Sequence, residues 1–113
     1  MLKFIYKICH LAEWTSFKEK GKFYGSKKDV LDGYIHLSKK SQVILTLKRH
    51  FLIKEKLVLL KIDASKLQNL IWEKSRNNLL FPHLYSDLKL NHVKNIYKIV
   101  LEKNKYSFYM LNF

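Results

Sequence analysis

Cysteine, proline, glycine and arginine are all scarce in this chain, and each scarcity removes a class of protein. The lone cysteine, Cys9, excludes an internal disulfide and a thiolate zinc cluster; a reducing compartment suits it, so a cytoplasmic protein is expected. Three glycines leave no room for a phosphate-binding glycine loop or a paired-glycine dinucleotide fingerprint, and no metalloprotease histidine pair or nucleophile elbow is present. Long apolar runs are missing as well. Stretches such as Leu57 to Leu60 fall far short of the ~20 residues of a membrane span, and none follows Met1-Leu2-Lys3-Phe4, so no membrane partner is expected. Acidic residues number 9 against 22 basic ones, a formal net charge of +13. Of the basic residues 20 are Lys and only Arg49 and Arg76 carry the planar fork that suits phosphates and bases. An AT-rich coding sequence produces such a Lys excess without any selected partner. We read it first as a solvated surface and second as a footprint for nucleic acid.

What is present is a core. Across 113 residues the apolar fraction is 48% and the aromatic fraction 14%, enough for one domain to fold without a metal or disulfide staple. Phe4, Tyr6 and Ile8 alternate onto one face of a predicted strand. Leu11, Trp14 and Phe17 then recur at helical spacing, with Glu13 in the first turn and Gly21 as the stop. Gly25 to Asp29 reads as a polar turn and Asp32-Gly33 as another. Between them and the second helix lies a predicted strand, Tyr34 to Ser38, with Tyr34, His36 and Ser38 on one face. Ser41 is the expected N-cap of a helix carrying Val43, Ile44, Leu47 and Phe51, closed by Lys48, Arg49 and His50. Leu57 to Ile62 is apolar enough for a central strand covered on both faces. A helical turn at Asp63 to Leu67, a short strand at Leu70 to Glu73 and a bend at Ser75 to Asn78 follow. Leu80 to Tyr85 contains the sole proline, Pro82, and is expected to be an ordered loop or an edge. Val93 to Leu101 and Lys105 to Leu111 form a predicted hairpin around Glu102-Lys103-Asn104.

The candidate chemistry sits at segment ends. His36 and Ser38, two apart on a strand, point to the same side and suit one shared ligand, or else are satisfied within the core. Arg49 and His50 close a helix, where dipole compensation explains them as readily as ligand binding. Glu73 and Arg76 flank a bend and pair with each other or with a ligand. Phe81, His83 and Tyr85 offer a stacking surface with two hydrogen-bonding tips, suited to a cleft wall or to capping the core. His10 and His92 are lone histidines with no evident partner.

Ile5 to Ile8, Trp14, Asp32 to Ser38, Arg49 to Phe51, Leu57 to Leu60, Trp72 to Arg76 and Leu80 to Tyr85 together resemble a small bacterial family, domain of unknown function 952. The resemblance runs from residue 5 to about 97 and leaves the final hairpin, about 93 to 111, largely outside as an extension. Ser86 stands where that family usually has glycine after the tyrosine. The resemblance implies an α+β fold similar to ADP-ribosyltransferases: two small curved β-sheets forming a cleft, with about two main helices. The resemblance implies the fold and not an activity; by what that fold hosts, NAD or a related nucleotide is the candidate substrate, with no tightly bound cofactor and no metal expected. His36, Glu73 and His83 are the catalytic candidates. Tyr34, Ser38, Arg49, Arg76, Phe81 and Tyr85 are the binding candidates, with Arg76 on the pyrophosphate, Phe81 and Tyr85 stacking, and Glu73 the sole carboxylate near these motifs. Two transferase strategies are compatible: a glutamate that stabilises a ribosyl cation, or the His and Arg set used by enzymes that remove a phosphate from RNA. A non-catalytic nucleotide- or RNA-binding module is the alternative, and the aromatic hairpin edge offers a third reading, self-association, with the oligomeric state left open.

Overall fold

A computed structural model describes residues 2–52 and 54–113, with the Arg76 side chain also outside the described set. The chain is α+β, mostly strands. A four-stranded antiparallel sheet has the order β1-β4-β8-β9, built from β1 (Phe4–His10), β4 (Leu57–Asp63), β8 (Val93–Glu102) and β9 (Lys105–Leu111). A three-stranded sheet, order β3-β6-β5, comprises β3 (Ile35–His36), β5 (Leu70–Lys74) and β6 (Leu80–Leu84), and a two-stranded pair joins β2 (Lys22–Phe23) to β7 (Leu88–Lys89). Among the described residues three α-helices complete it: α1 (Leu11–Lys20), α2 (Lys27–Asp32) and α3 (Val43–His50).

The period of two in β1 and β4 explains how the larger sheet is covered. Ile5 and Cys9 share one face with Val58, Leu60, Ile62 and Ile96, packed against Trp14 and Phe17 of α1. Tyr6, Ile8, Leu57 and Leu59 share the other face and pack on Val43 and Leu47 of α3. The apolar run in β4 therefore does fill an interior strand buried on both sides. In α1, Trp14 and Phe17 are buried as their spacing predicts, but Leu11 lies at the first turn and is exposed. Gly21 ends the helix at φ 74°, a left-handed conformation that glycine adopts without a Cβ penalty.

Four local expectations are corrected. The Gly25 to Asp29 turn opens a helix: Ser26 Oγ accepts the Asp29 N–H while Asp29 Oδ2 accepts the Ser26 N–H, a reciprocal capping box that starts α2. Its apolar residues Val30 and Leu31 face outward, so no buried stripe announces this helix. Ser41 is not the cap of α3. A 3₁₀ turn, Lys40–Gln42, satisfies the first amides through i to i+3 bonds and runs directly into the α-helix.

The Tyr34 to Ser38 segment is shorter as a strand than expected, pairing with β6 only at Ile35–Leu84 and His36–His83. Leu80 to Tyr85, for its part, is no edge: β6 is the middle strand of its sheet. Pro82 explains the short β3. The Leu37 N–H donates to the Pro82 carbonyl at 3.1 Å, but proline has no N–H to return, so the ladder loses its second bond there and β3 ends. The hairpin forms as expected, with Lys103 and Asn104 both at positive φ (50° and 63°) in its turn. Its first strand, β8, also pairs with β4 and is integral to the larger sheet.

One bridge joins the two main sheets. Tyr6 and Ser38 exchange backbone hydrogen bonds of 2.8 and 2.9 Å, N–H to carbonyl in each direction. Beyond it β1 and β3 no longer pair, and a cleft opens between them.

Candidate functional site

Strand periodicity gathers the candidates. His36 is register partner to His83, and Glu73 to Phe81, and cross-strand partners point to the same side of a sheet. Stepping by two from each puts Tyr34, His36, Ser38, Phe81, His83, Tyr85 and Glu73 on a single face of the three-stranded sheet. The rings confirm it: Tyr34 stacks on His83 at 4.1 Å between centroids, lies 4.5 Å from His36 and 5.3 Å from Tyr85, and His36 and His83 are 5.6 Å apart.

The cleft has a volume of about 750 Å³, within the range of small-molecule sites. His36, Ser38, Phe81 and His83 line it from the small sheet, Lys7 and His10 from β1, and Thr46 and Arg49 from α3. Tyr34, Glu73 and Tyr85 are not in its lining; they stand beside and behind the two histidines. Ser38 is buried and its hydroxyl lies 3.1 Å from Thr46 Oγ1, which itself donates to the Gln42 carbonyl; Ser38 is therefore the donor of that pair. Arg49 is exposed at the cleft rim with no ion-pair partner among the described residues. The Arg76 side chain, read above as a pyrophosphate contact, lies outside the described residues.

Beneath His36 lies a charge network that the sequence reading missed. Lys7 Nζ donates to Asp29 Oδ2 at 2.8 Å and to the His36 carbonyl at 2.9 Å, and both side chains are almost fully buried. Asp29 Oδ1 accepts from the His36 ring at 2.6 Å and from the His36 backbone N–H at 3.1 Å. His36 Nε2 is 3.0 Å from Asp32 Oδ2, which pairs with Lys28 at 2.9 Å. Lys7, Asp29, His36, Asp32 and Lys28 thus form one continuous chain of contacts. Burial alone would raise the Asp29 carboxyl, but the His36 hydrogen bond and the Lys7 charge outweigh it and hold the group well below the usual carboxylate range. One signal was legible: Lys7 is the only charge in the strand from Phe4 to His10. Asp29 was hidden because its segment was taken for a turn.

Around His83 the arrangement differs. Its Nδ1 donates to Glu73 Oε1 at 2.8 Å, and the Tyr85 hydroxyl donates to the same oxygen at 2.6 Å. Those two bonds keep the Glu73 carboxyl below its ordinary value, while the carboxylate pushes the Tyr85 phenol up to about 12. Glu73 is thus engaged by His83 and Tyr85, and it is not the sole carboxylate near the motifs, since Asp29 and Asp32 flank His36. His10 is not partnerless either, because its two ring nitrogens lie 3.1 Å from Glu13 and 3.1 Å from Glu55. His92 accepts the Lys89 N–H through Nδ1, away from the cleft. Among the described residues no cluster of three or more His, Cys, Asp or Glu side chains is set to hold a metal ion, and no helix is long and apolar enough to cross a membrane.

Comparison with known proteins places this architecture. The crystal structure of protein CC0527 from Caulobacter crescentus is similar at 40% identity and TM-score 0.85, over 89% of this chain and 90% of that one. The solution NMR structure of CC0527 is similar at 39% identity and TM-score 0.81, over 93% and 91%. No match is found among curated proteins. The family described as "Protein of unknown function (DUF952)" matches residues 8–96, most of the chain and every cleft residue except Lys7. The chain belongs to the DUF952 family.

Proposed function

We propose that the cleft binds NAD or a related nucleotide, and that the protein transfers or hydrolyses its ribosyl group on a fold of the ADP-ribosyltransferase kind. The observation carrying this reading is the convergence of His36 and His83 on one cleft wall, 5.6 Å apart, each ring held by a carboxylate on Nδ1. Two imidazoles fixed side by side in a cleft of this size suit a ligand rich in hydroxyls and amides. Ser38 is within reach of ribose hydroxyls or a carboxamide, Phe81 offers a ring to stack on, and Arg49 offers a free guanidinium at the rim for a pyrophosphate. When nicotinamide leaves with the glycosidic electron pair, positive charge develops on the ribosyl C1′. Fixed anions nearby favour that transition state over the ground state, and the cleft lining carries two, Glu13 and Asp29. NAD enters as a substrate, held through these reversible contacts.

The test is thermal melting and nicotinamide release with NAD. We expect NAD to raise the melting temperature and the Ser38→Ala and Arg49→Ala variants to lose that shift. Neither a shift nor nicotinamide release from the unmodified protein at millimolar NAD would remove the proposal.

One observation favours a second reading, a non-catalytic nucleotide- or RNA-binding module. Both ring nitrogens of His36 face carboxylates, which suits a fixed binding post better than a proton donor. RNA held through phosphates would dissociate steeply with added salt, whereas affinity flat in salt would exclude the RNA version.

A further inference from the structure

We infer that His83 is the proton-transfer residue of the cleft, with Glu73 and Tyr85 as its positioning residues. This rests on the ribosyl-transfer reading and deepens it. The cleft histidines His10, His36 and His83 differ in which ring nitrogens are open. His10 and His36 each have both nitrogens against carboxylates. His83 has only Nδ1 engaged, by Glu73, and among the described residues nothing meets its Nε2. Although His83 is buried, no buried side-chain nitrogen among the described residues is left without a partner. Among the described residues Nε2 is thus left open, and the space that His83 lines is the cleft.

The chemistry of the partner then fixes the tautomer. An ionised carboxylate only accepts, so Nδ1 carries the proton in the neutral ring and Nε2 presents a lone pair. Glu73 is held ionised by the Tyr85 hydroxyl on the same oxygen, and Tyr34 stacked at 4.1 Å fixes the ring plane. A base oriented by a carboxylate, which is itself oriented by a third group, is the arrangement general-base catalysis requires. The acceptor is water or another hydroxyl-bearing molecule. Its O–H proton passes to His83 Nε2 as its oxygen bonds to the ribosyl C1′; the C1′–N bond breaks and its electron pair leaves with neutral nicotinamide; the proton is then released from Nε2 to solvent. Glu73, outside the cleft lining, acts through His83 and stabilises the imidazolium formed in that step.

Two measurements on the full chain test this. Ring ¹⁵N spectra should give neutral His83 as the Nδ1–H tautomer; an Nε2–H tautomer overturns the assignment. In nicotinamide release from NAD, His83→Gln should bind NAD within about threefold of the unmodified protein while kcat falls by ~10²–10⁴-fold, the usual contribution of a positioned base. Glu73→Gln, at a half-exposed position that tolerates change, should lower kcat and displace the acid limb of its pH profile with KM unchanged, a displacement that loss of packing alone does not produce. It serves as the variant of record if His83→Gln does not fold. If the unmodified protein cleaves NAD and His83→Gln retains more than a tenth of that rate, or Glu73→Gln leaves the acid limb in place, the His83 assignment falls alone. If the unmodified protein neither binds nor cleaves NAD, the ribosyl reading falls and takes this role with it.

Discussion

Replacing Lys7 by Met tests whether the ion pair beneath the cleft holds the site together. Met has nearly the length of Lys and no charge, so the substitution keeps most of the packing in β1 and leaves Asp29 buried without its cation. Removing one partner of a buried pair costs ~3–5 kcal/mol because the other charge stays desolvated. Asp29 keeps three further hydrogen bonds, from the His36 ring, the His36 N–H and the Ser26 N–H, so the lower end of that range, about 3 kcal/mol, applies here. With an unfolding entropy of ~2.1 cal/mol/K per residue, 113 residues give about 0.24 kcal/mol/K, and the melting temperature should fall by roughly 12 °C. The pH dependence gives the sign a second check. Asp29 is depressed in the folded protein, so the unfolded chain binds more protons in acid. The stability this confers is complete above the unfolded carboxylate value of about 4 and is lost as pH falls toward the folded one. Without Lys7 the folded carboxyl rises toward the unfolded value. The variant should therefore be most destabilised at neutral pH and approach the unmodified protein at pH 2 to 3. Urea unfolding followed by circular dichroism across that range measures both. A Lys7→Met protein within about 0.5 kcal/mol of the original at pH 7, with an unchanged acid slope, would refute the argument.

Gly25 sits at φ 116° with its missing Cβ only 2.7 Å from the Asp29 Cβ, so Gly25→Ala should cost ~1–3 kcal/mol and displace the Asp29–His36 pair, read as a shift of the His36 ring resonances. Burial pushes the Cys9 thiol up to about 12, so iodoacetamide at pH 8 should leave the native protein unlabelled and modify it fully in denaturant; rapid native labelling would mean that face of the sheet opens. Lys103 and Asn104 hold positive φ in the hairpin turn where Asn-Gly is favoured, so the Lys103→Asn, Asn104→Gly double variant should gain about 1 kcal/mol in urea unfolding, and a loss would mean that the Lys103 side chain has packing of its own.

Much of the local structure was legible because it depends on neighbours a few residues away. Apolar alternation located β1 and the hairpin, a continuous apolar run located β4, and helical spacing with Gly21 bounded α1. The same period of two put Tyr34 with His36 and Ser38, and the nearness of Phe81, His83 and Tyr85 in the chain grouped those three, before any fold was known. Where one local signal stood in for another, reading failed: a capping box at Ser26 looked like a turn, and Pro82 looked like an edge although its missing N–H costs only one bond at the end of a short partner strand. Tertiary structure decided what those two triplets do together. Their pairing through His36 and His83 joins residues 47 positions apart, the Lys7–Asp29 contact spans 22, and Glu73 bonds to His83 and Tyr85 across the sheet, 10 and 12 positions on. No propensity or spacing encodes such pairings. They follow from which strands bury their apolar faces against each other, and the charged groups brought along must then find partners among whatever that packing sets within reach.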